Sequence, residues 1–522
     1  MRRFFFATAL GLLLMGCVLT VPRPAAVPTP TVSPPLTPTP VDAQPTVTPR
    51  SAPAALRGVT VDWADLNPYR RAMRPAFASD VDLYEQATRY AIDLTVDIEA
   101  LTLRGVQRVR VTSAEAEPLS EIVFRLLPDT PGYGGSMAVG SVTVEGLRVE
   151  PDLRLDGSAV YVPLSTPLRP GETTELVLTF EGTIPTDPSA GYAQYGYIDG
   201  VLALPNAYPM IPVYDDEGWN VELAPTYGDA AFTDTSLYLV RVTLPARMIS
   251  AASGVEVDRQ DNGDGTATVT YASGPMRDFA LVASEEYQMA TDSVGEVLVT
   301  SYFFSGDEEG GELVLDYASR ALEVYEETFG TYPFTELDVV ETPTLAGGIE
   351  YPGLIVVAAS LYGERGGFFE LATVHEVAHQ WWYSLVGNDQ LDEPWLDESL
   401  TQYASLFYFE DRYGPQSAQR VLENTFEVPY RYIQEREQDM AVGLPVASYT
   451  EDLYGAVVYG KGPLFFHAVR QQVGDEAFYE ILRTYYDEYR YGVAYPADWM
   501  AVAERVSGQE LDALYAHWIL GE

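Results

Sequence analysis

Two of the four histidines in this 522-residue chain lie close together, at His375 and His379 in the run His-Glu-Val-Ala-His. Apolar side chains recur around them at Leu371, Val374 and Ala378, a spacing that predicts a helix with one buried face. Both imidazoles then lie one turn apart on the same side of that helix, where they can bind one metal ion. Neutral imidazole nitrogen suits zinc in a tetrahedral site. The fold must therefore bury this helix and bring another ligand to it.

A third protein ligand is predicted at Glu398, which follows His379 after eighteen intervening residues and stands where a new helical pattern begins. A carboxylate from a neighbouring helix can complete a site of two histidines, one glutamate and one water. The alternative for such an acid is to stabilise a helix N-terminus. Asp397 and Glu393 fit that alternative better, and either one can also serve as a hydrogen-bond partner of a ligand histidine.

Two further side chains are predicted to take part in the chemistry. Glu376 points up to about 100° around the helix from its histidine neighbour, so it can face an attacking water rather than the metal. A carboxylate there can take a proton from that water and pass it to a leaving amine. Tyr459, in the run Tyr-Gly-Lys-Gly, carries a phenol that can donate to the oxyanion of an attacked carbonyl. Lys461 in the same run is the chain's single lysine, which indicates a local reason for it.

A glycine-rich run, Ala-Gly-Gly-Ile-Glu-Tyr, occupies residues 346–351. Gly347 and Gly348 let the backbone approach a ligand closely, and Glu350 then presents a carboxylate beside an extended segment. A carboxylate near the metal can bind a free α-ammonium group, which would direct cleavage to the first peptide bond. The alternative is a turn at the end of a strand with a solvated glutamate.

Taken together and in this order, the four runs resemble the aminopeptidase N family of gluzincin metallopeptidases. The resemblance implies an α+β chain with a β-rich, saddle-like N-terminal domain and a thermolysin-like mixed α/β catalytic domain whose C-terminal half is mainly helical. It also implies one Zn²⁺ per chain and a peptide substrate with a free N-terminus. The resemblance assigns His375, His379 and Glu398 to zinc and Glu376 to the general base. It assigns Tyr459 to the oxyanion and Glu350 to the substrate amine.

The chain departs from the family pattern beside Glu350. The family's Gly-Ala-Met-Glu-Asn run is Gly-Gly-Ile-Glu-Tyr here, so the preferred first residue of the substrate stays open. The glutamine that helps to hold the amine in many relatives has no clear counterpart. Two other functions also stay open: a zinc endopeptidase, which the same ligands and base would serve, and a non-catalytic surface module stabilised by zinc. The second would have no use for Glu376 or Tyr459.

The remaining two histidines, His467 and His517, stand alone in helical patterns, and we expect them to serve packing. Many relatives continue into a helical domain at the point where this chain ends, so we expect here either a more open cleft or another chain that closes it.

The N-terminus has the pattern of an export signal. Two arginines, an apolar run and a glycine precede Cys17, the single cysteine of the chain. The run Leu-Met-Gly-Cys resembles the lipobox of bacterial lipoproteins, so residues 1–17 are predicted to be a signal peptide with lipidation at Cys17. The alternative is an ordinary signal peptide. Residues 18–57 are rich in proline and threonine and predict an extended spacer. We therefore expect an exported protein, lipid-anchored on the outer face of a bacterial membrane.

The charge excludes one class of partner. With 76 acidic and 31 basic residues, the formal net charge is −45, and a surface of that sign repels nucleic-acid phosphates. Hydrophobic residues make up 47% of the chain, which is enough to fill more than one core. We expect two domains after the spacer, a β-rich one at 58–293 and the zinc metallopeptidase domain at 294–522.

Short β-branched runs separated by glycine, proline and aspartate predict strands in the first domain, whereas strands mix with helices in the second. The predicted strands are 90–98, 107–112, 142–149, 175–180, 237–244, 296–304 and 337–341. The predicted helices are 311–329, 367–386, 398–413, 457–473, 475–489 and 496–520. Residues 258–271 are acidic enough to suggest calcium, but Asp-Gly before an alternating run favours a hairpin turn.

Overall fold

A computed structural model describes residues 61–229, 231–364 and 367–522, with the backbone alone at residue 364. The predicted signal peptide, Cys17 and the spacer lie outside the described residues. The described residues all belong to one compact unit, Ala55–Glu522, so the domain boundary at 293/294 stays a prediction. Among them, no helix combines the length and the apolar character that crossing a membrane requires.

The N-terminal part is β-structure built around an eight-stranded sheet. Its strands pair antiparallel except for Arg89–Asp97 and Leu237–Pro245, which run parallel. Alternate side chains of Arg89–Asp97, from Tyr90 to Val96, point into one apolar core, as the period of a strand requires. In spatial order the strands are Val255–Asp261, Thr266–Ala272, Leu237–Pro245, Arg89–Asp97, Thr102–Thr112, Thr173–Thr183, Ser136–Val144 and Leu147–Val149.

Three smaller sheets complete this part. The first contains Leu119–Arg125, Ala159–Leu168 and Asp152–Arg154; the second contains Ile249–Ala252, Leu281–Ser284, Val201–Ala203 and Gly196–Ile198; the third contains Tyr214–Asp215 and Gly218–Trp219.

Two tight turns bear on the predicted strands. Residues 142–149, predicted as one strand, instead form the end of one strand and the whole of the next. Glu145 and Gly146 between them have φ of 50° and 76°, so the chain reverses in a two-residue turn. The acidic run 258–271 forms a hairpin between two strands of the large sheet, as predicted.

The C-terminal part combines a five-stranded sheet with helices. In spatial order the strands are Tyr287–Val294, Val297–Phe304, Glu336–Thr342, Leu354–Ala358 and the two-residue edge strand Gly348–Ile349. The α-helices of the described chain are Asn67–Arg70, Asp80–Leu83, Glu308–Phe329, Ala359–Glu364, Gly367–Ala378, Leu400–Tyr413, Pro415–Val421, Val428–Gln434, Glu451–Ala456, Gly462–Val473, Asp475–Tyr489, Pro496–Ser507 and Asp512–Tyr515. The π-helical segments are Trp395–Ser399, Leu422–Glu427, Val457–Lys461 and Ala516–Leu520.

Two predicted helices are too long. The helix predicted at 367–386 ends at Ala378. Beyond it, backbone hydrogen bonds that span three residues replace those that span four. The helix predicted at 496–520 is interrupted at Gly508, which has φ of 66° and closes the first segment in a left-handed conformation.

The long helix Glu308–Phe329 connects the five-stranded sheet to the histidine-bearing helix. On the sheet side, Gly311 packs so closely that an added Cβ would lie 2.2 Å from the Phe303 ring. On the other side, the buried Tyr325 hydroxyl donates to the Val374 carbonyl over 3.0 Å. This packing fixes the height of the histidine-bearing helix above the sheet.

Candidate active site

The helix Gly367–Ala378 carries the two histidines into a buried position. The His379 amide still donates to the His375 carbonyl over 3.2 Å, so the two side chains are one helical turn apart. The end of the helix then turns the Trp382 carbonyl back onto the His379 ring, 2.9 Å from Nδ1. Because a carbonyl can only accept, Nδ1 carries the proton and Nε2 has its lone pair free for a metal.

Glu398 lies in the π-helical segment Trp395–Ser399, directly before an α-helix. Its amide donates to Asp397 Oδ1 over 2.9 Å, and Asp397 Oδ2 accepts from Gln390 Nε2 over 2.9 Å. Asp397 therefore holds the backbone and a neighbouring amide rather than the ligand histidines. Glu393 forms no part of the metal-ligand group.

The three predicted ligands converge on one point. His375 Nε2 and His379 Nε2 lie 3.1 Å apart, and Glu398 Oε2 is 3.2 Å from the first and 3.3 Å from the second. In a tetrahedral zinc site with bonds of about 2.0 to 2.1 Å, neighbouring ligand atoms are separated by about 3.3 Å. All three side chains are buried, and together they form a cluster of metal-binding geometry. The residues therefore fit zinc in charge, atom type and spacing.

Glu376 and Glu350 lie beside this cluster. The ligand atoms of Glu350, Glu376 and His379 are all within 4.8 Å of one another, and both glutamates are buried. Burial raises the pKa of Glu376 well above its usual value, and the carboxylate of Glu350 raises it further. Burial likewise raises the pKa of Glu350, and the charged neighbours that raise it further are all carboxylates. This concentration of acid favours a cation in the site.

The two glycines before Glu350 serve close packing on the histidine-bearing helix. A Cβ on Gly348 would lie 2.4 Å from Glu376 Cγ, closer than real Cβ contacts. A Cβ on Gly347 would lie 3.2 Å from the tip of the Phe368 ring. The edge strand thus runs directly over the side chain of Glu376 and confines it.

Tyr459 lies in a second π-helical segment, Val457–Lys461. Its hydroxyl donates to Glu398 Oε1, and its ring centroid is 5.9 Å from that of His375. The two π-helical segments are in contact, because Ser399 Oγ donates to the Val458 carbonyl over 2.6 Å. The structure therefore brings the phenol to the metal cluster.

The reason for the single lysine is structural. Lys461 is buried, and its ammonium donates to Asp439 Oδ1 and to the Met440 carbonyl, each over 2.7 Å. These bonds join the segment that carries Tyr459 to a distant loop.

The remaining two histidines lie outside the metal cluster, as predicted. His467 Nε2 lies 2.9 Å from the Gln471 amide, and its Nδ1 lies 3.4 Å from the Tyr403 hydroxyl. His517 packs edge-on against the Trp518 ring.

The structure adds two residues to the site that the sequence did not single out. Tyr454 is buried with its ring 5.7 Å from that of Tyr459, and its hydroxyl has no hydrogen-bond partner among the described residues. Asp229 comes from the N-terminal part and lines the same cavity as Glu350. Four residues lie between the two tyrosines. With 36 tyrosines and 76 acidic residues in the chain, neither Tyr454 nor Asp229 carries a distinguishing signal in the sequence.

Comparison with known proteins finds a family model that matches the part of the chain carrying the candidate site. Residues 313–518, which include the histidine-bearing helix, Glu398 and Tyr459, match the model of the peptidase family M1 domain. The C-terminal part of the chain is therefore similar to peptidase family M1 domains. This confirms the resemblance that the four sequence runs indicate.

Two curated relatives match different shares of this chain. Aminopeptidase M1-C of Oryza sativa subsp. japonica is 26% identical over 310 residues, which cover 56% of this chain and 35% of the relative. Probable aminopeptidase 2 of Sulfurisphaera tokodaii is 26% identical over 445 residues, which cover 83% of this chain and 53% of the relative. The chain thus spans less than two thirds of the length of either relative.

A solved structure matches most of this chain. It is a mutant of the M1 zinc metallopeptidase from Deinococcus radiodurans bound to a Tyr-Ser-Ala substrate, with a TM-score of 0.64 and 24% identity. The match covers 83% of this chain and 94% of that one. Together with the sheets and helices described above, this likeness confirms the predicted α+β fold.

Proposed function

We propose that this chain is a zinc-dependent aminopeptidase that hydrolyses the first peptide bond of substrates with a free N-terminus. One Zn²⁺ would be held by His375, His379 and Glu398. The observation that supports exopeptidase action is the position of Glu350, whose buried carboxylate lies within 4.8 Å of the ligand atoms of Glu376 and His379. An α-ammonium group bound there would bring the first peptide bond to the metal, whereas an endopeptidase has no use for such a carboxylate.

When bound, zinc would supply a Lewis acid that lowers the pKa of water and polarises the scissile carbonyl. Glu376 would take a proton from the attacking water on a carboxylate oxygen and deliver it to the nitrogen of the leaving amine. Tyr459 would donate its hydroxyl proton in a hydrogen bond to the oxyanion. That hydroxyl donates a hydrogen bond to Glu398 Oε1. It must therefore exchange this acceptor for the substrate oxyanion as the carbonyl is attacked.

The test compares matched substrates with free and acetylated N-termini, using the protein without residues 1–57, before and after treatment with a chelator. Cleavage of free N-termini alone, lost with zinc and restored by it, is the expected result. Equal cleavage of acetylated peptides would indicate a zinc endopeptidase instead. Bound zinc without any turnover would indicate a non-catalytic module.

We further propose that the protein is exported and anchored by a lipid on Cys17 to the outer face of a bacterial membrane. The support comes from the sequence: an apolar run, the Leu-Met-Gly-Cys motif and a proline-rich spacer. Expressed in a bacterium with labelled palmitate, the full chain should take up label and sediment with membranes, whereas Cys17→Ser should do neither. Unlabelled, soluble protein from the unmodified chain would contradict the anchor.

A further inference from the structure

A polar cavity adjoins Glu350, which forms part of its lining. Its free volume is about 50 Å³, and its lining includes Asp229, Asp278, Glu350 and Gln390. Aromatic and apolar side chains complete the wall, among them Leu127, Tyr133 and Tyr195. Among the described residues that line it, none is basic. The carboxyl groups of the lining therefore have no cationic partner within the lining itself.

Several oxygen atoms of the lining have no hydrogen-bond partner among the described residues. They are Asp278 Oδ1, Asn206 Oδ1, Gln390 Oε1 and the Tyr351 hydroxyl, and all four side chains are more than nine-tenths buried. Burial raises the pKa of Asp278 to about 6, although Tyr383, Asn206 and Arg277 each lower it. No described group meets Asp278 Oδ1 with hydrogen-bond geometry. Leaving buried acceptors unpaired is costly, so the cavity is built to receive hydrogen-bond donors.

Two residues of the cavity lining have a positive φ. Tyr383, whose hydroxyl donates to Asp278 Oδ2, has φ of 121°, a conformation that side-chain-bearing residues rarely adopt. The fully buried Arg277 stabilises it by donating from Nε to the Tyr383 carbonyl over 2.7 Å. Asn206 also has a positive φ, 52°, and its amide donates to the Phe279 carbonyl over 3.1 Å. Such strain is concentrated at functional sites.

We propose that this cavity binds the side chain of the first substrate residue, that it selects a basic side chain, and that Asp278 determines this specificity. The proposal rests on the proposed aminopeptidase function. Glu350 takes the α-ammonium, which leaves the unpaired Asp278 oxygen and the acceptors of Asn206 and Gln390 for a second cation. Oxygen acceptors without competing donors match an ammonium or guanidinium group.

The size of the cavity sets a further limit. A free volume of about 50 Å³ holds about four water-sized groups. That is close to the number of non-hydrogen atoms in a lysine side chain. The methylene stem of a basic residue can lie along Leu127 and the tyrosine rings while its charged end reaches the acceptors.

The experiment compares lysyl, arginyl and norleucyl anilides, because norleucine has the shape of lysine without the ammonium group. We expect kcat/KM at pH 7.5 to be at least tenfold higher for lysine than for norleucine. Asp278→Asn should lower the lysine value about tenfold or more and change the norleucine value by less than about twofold. Asp338→Asn, which alters a buried carboxyl in the five-stranded sheet away from the cavity, is the matched control and should leave the ratio unchanged.

An equal or higher rate for norleucine, or an equal loss for both substrates in Asp278→Asn, would overturn the proposal. If Asp278→Asn does not fold, Asn206→Gly removes a second acceptor while tolerating the positive φ, and it should also lower the ratio. If none of the substrates is cleaved, the proposed function fails first. Calorimetric titration of the zinc-loaded protein with lysine amide and norleucine amide then tests the cavity by itself, and equal binding would refute it.

Discussion

The steric fit between Gly348 and Glu376 gives the sharpest test of the site. In Gly348→Ala, the new methyl group would lie 2.4 Å from Glu376 Cγ and 2.5 Å from its Oε1. Ordinary contact between carbon atoms needs about 3.5 to 4.0 Å, so the glutamate or the edge strand must move by about 1 Å. A misplacement of that size costs about a hundredfold in rate, equivalent to about 2.7 kcal/mol in the activation barrier.

The assay is kcat on an aminoacyl anilide, with zinc content measured by metal analysis on the same samples. Gly348→Ala should lose about a hundredfold in kcat and keep its zinc, because the ligands themselves are not displaced. Gly347→Ala should lose much less, since its methyl group would meet only the tip of the half-exposed Phe368 ring at 3.2 Å. Gly455→Ala is the control for a glycine-to-alanine substitution without a steric effect, because its added Cβ would meet nothing within 4 Å. Activity in Gly348→Ala above a third of the unmodified rate would refute the reasoning.

Three further predictions concern chemistry, pH and packing. Glu376→Gln and Tyr459→Phe should each lower kcat by about a hundredfold or more with zinc still bound, and near-normal rates by the same assay would refute their roles. Burial raises the pKa of Glu341 from 4.5 to about 8, so the fold favours the protonated form and loses stability as the pH rises from about 4.5 through 8. Calorimetric Tm should therefore fall less between pH 5 and 9 in Glu341→Gln than in the unmodified chain, and identical pH profiles would contradict this. Lys461→Met should lower the free energy of unfolding by about 1 to 3 kcal/mol in urea titrations, because Asp439 and the Met440 carbonyl lose their buried donor; an unchanged midpoint would show that these bonds contribute nothing.

The part of the site that could be predicted is the part that depends on short spacing. His375 and His379 lie on one helix, so the period of the helix alone determines their separation. Glu398 required only that the next helix pack beside the first. In each case the geometry depends on one helix or on two helices that follow each other in the sequence.

The part that could not be predicted depends on contacts between distant segments. Asp278 and Asp229 reach the cavity from the N-terminal part only because its sheets pack against the catalytic part, and no local pattern records that packing. The end of the histidine-bearing helix at Ala378 is another example. The apolar period continues through Leu385, but the carbonyl of Trp382 turns back to bind the His379 ring, and this tertiary hydrogen bond overrides the local helical preference.

Deleting one residue from Trp395–Ser399 or from Val457–Lys461 would convert a π-helical turn into an α-helical one. Each residue of an α-helix turns the chain by about 100°, so the acid or the phenol would then face away from the metal without any change in its own identity. Because the Ser399 hydroxyl donates to the Val458 carbonyl, a shift of one π-helical segment would also move the other. Catalytic competence here therefore depends on the number of residues in two short segments as much as on the side chains they carry.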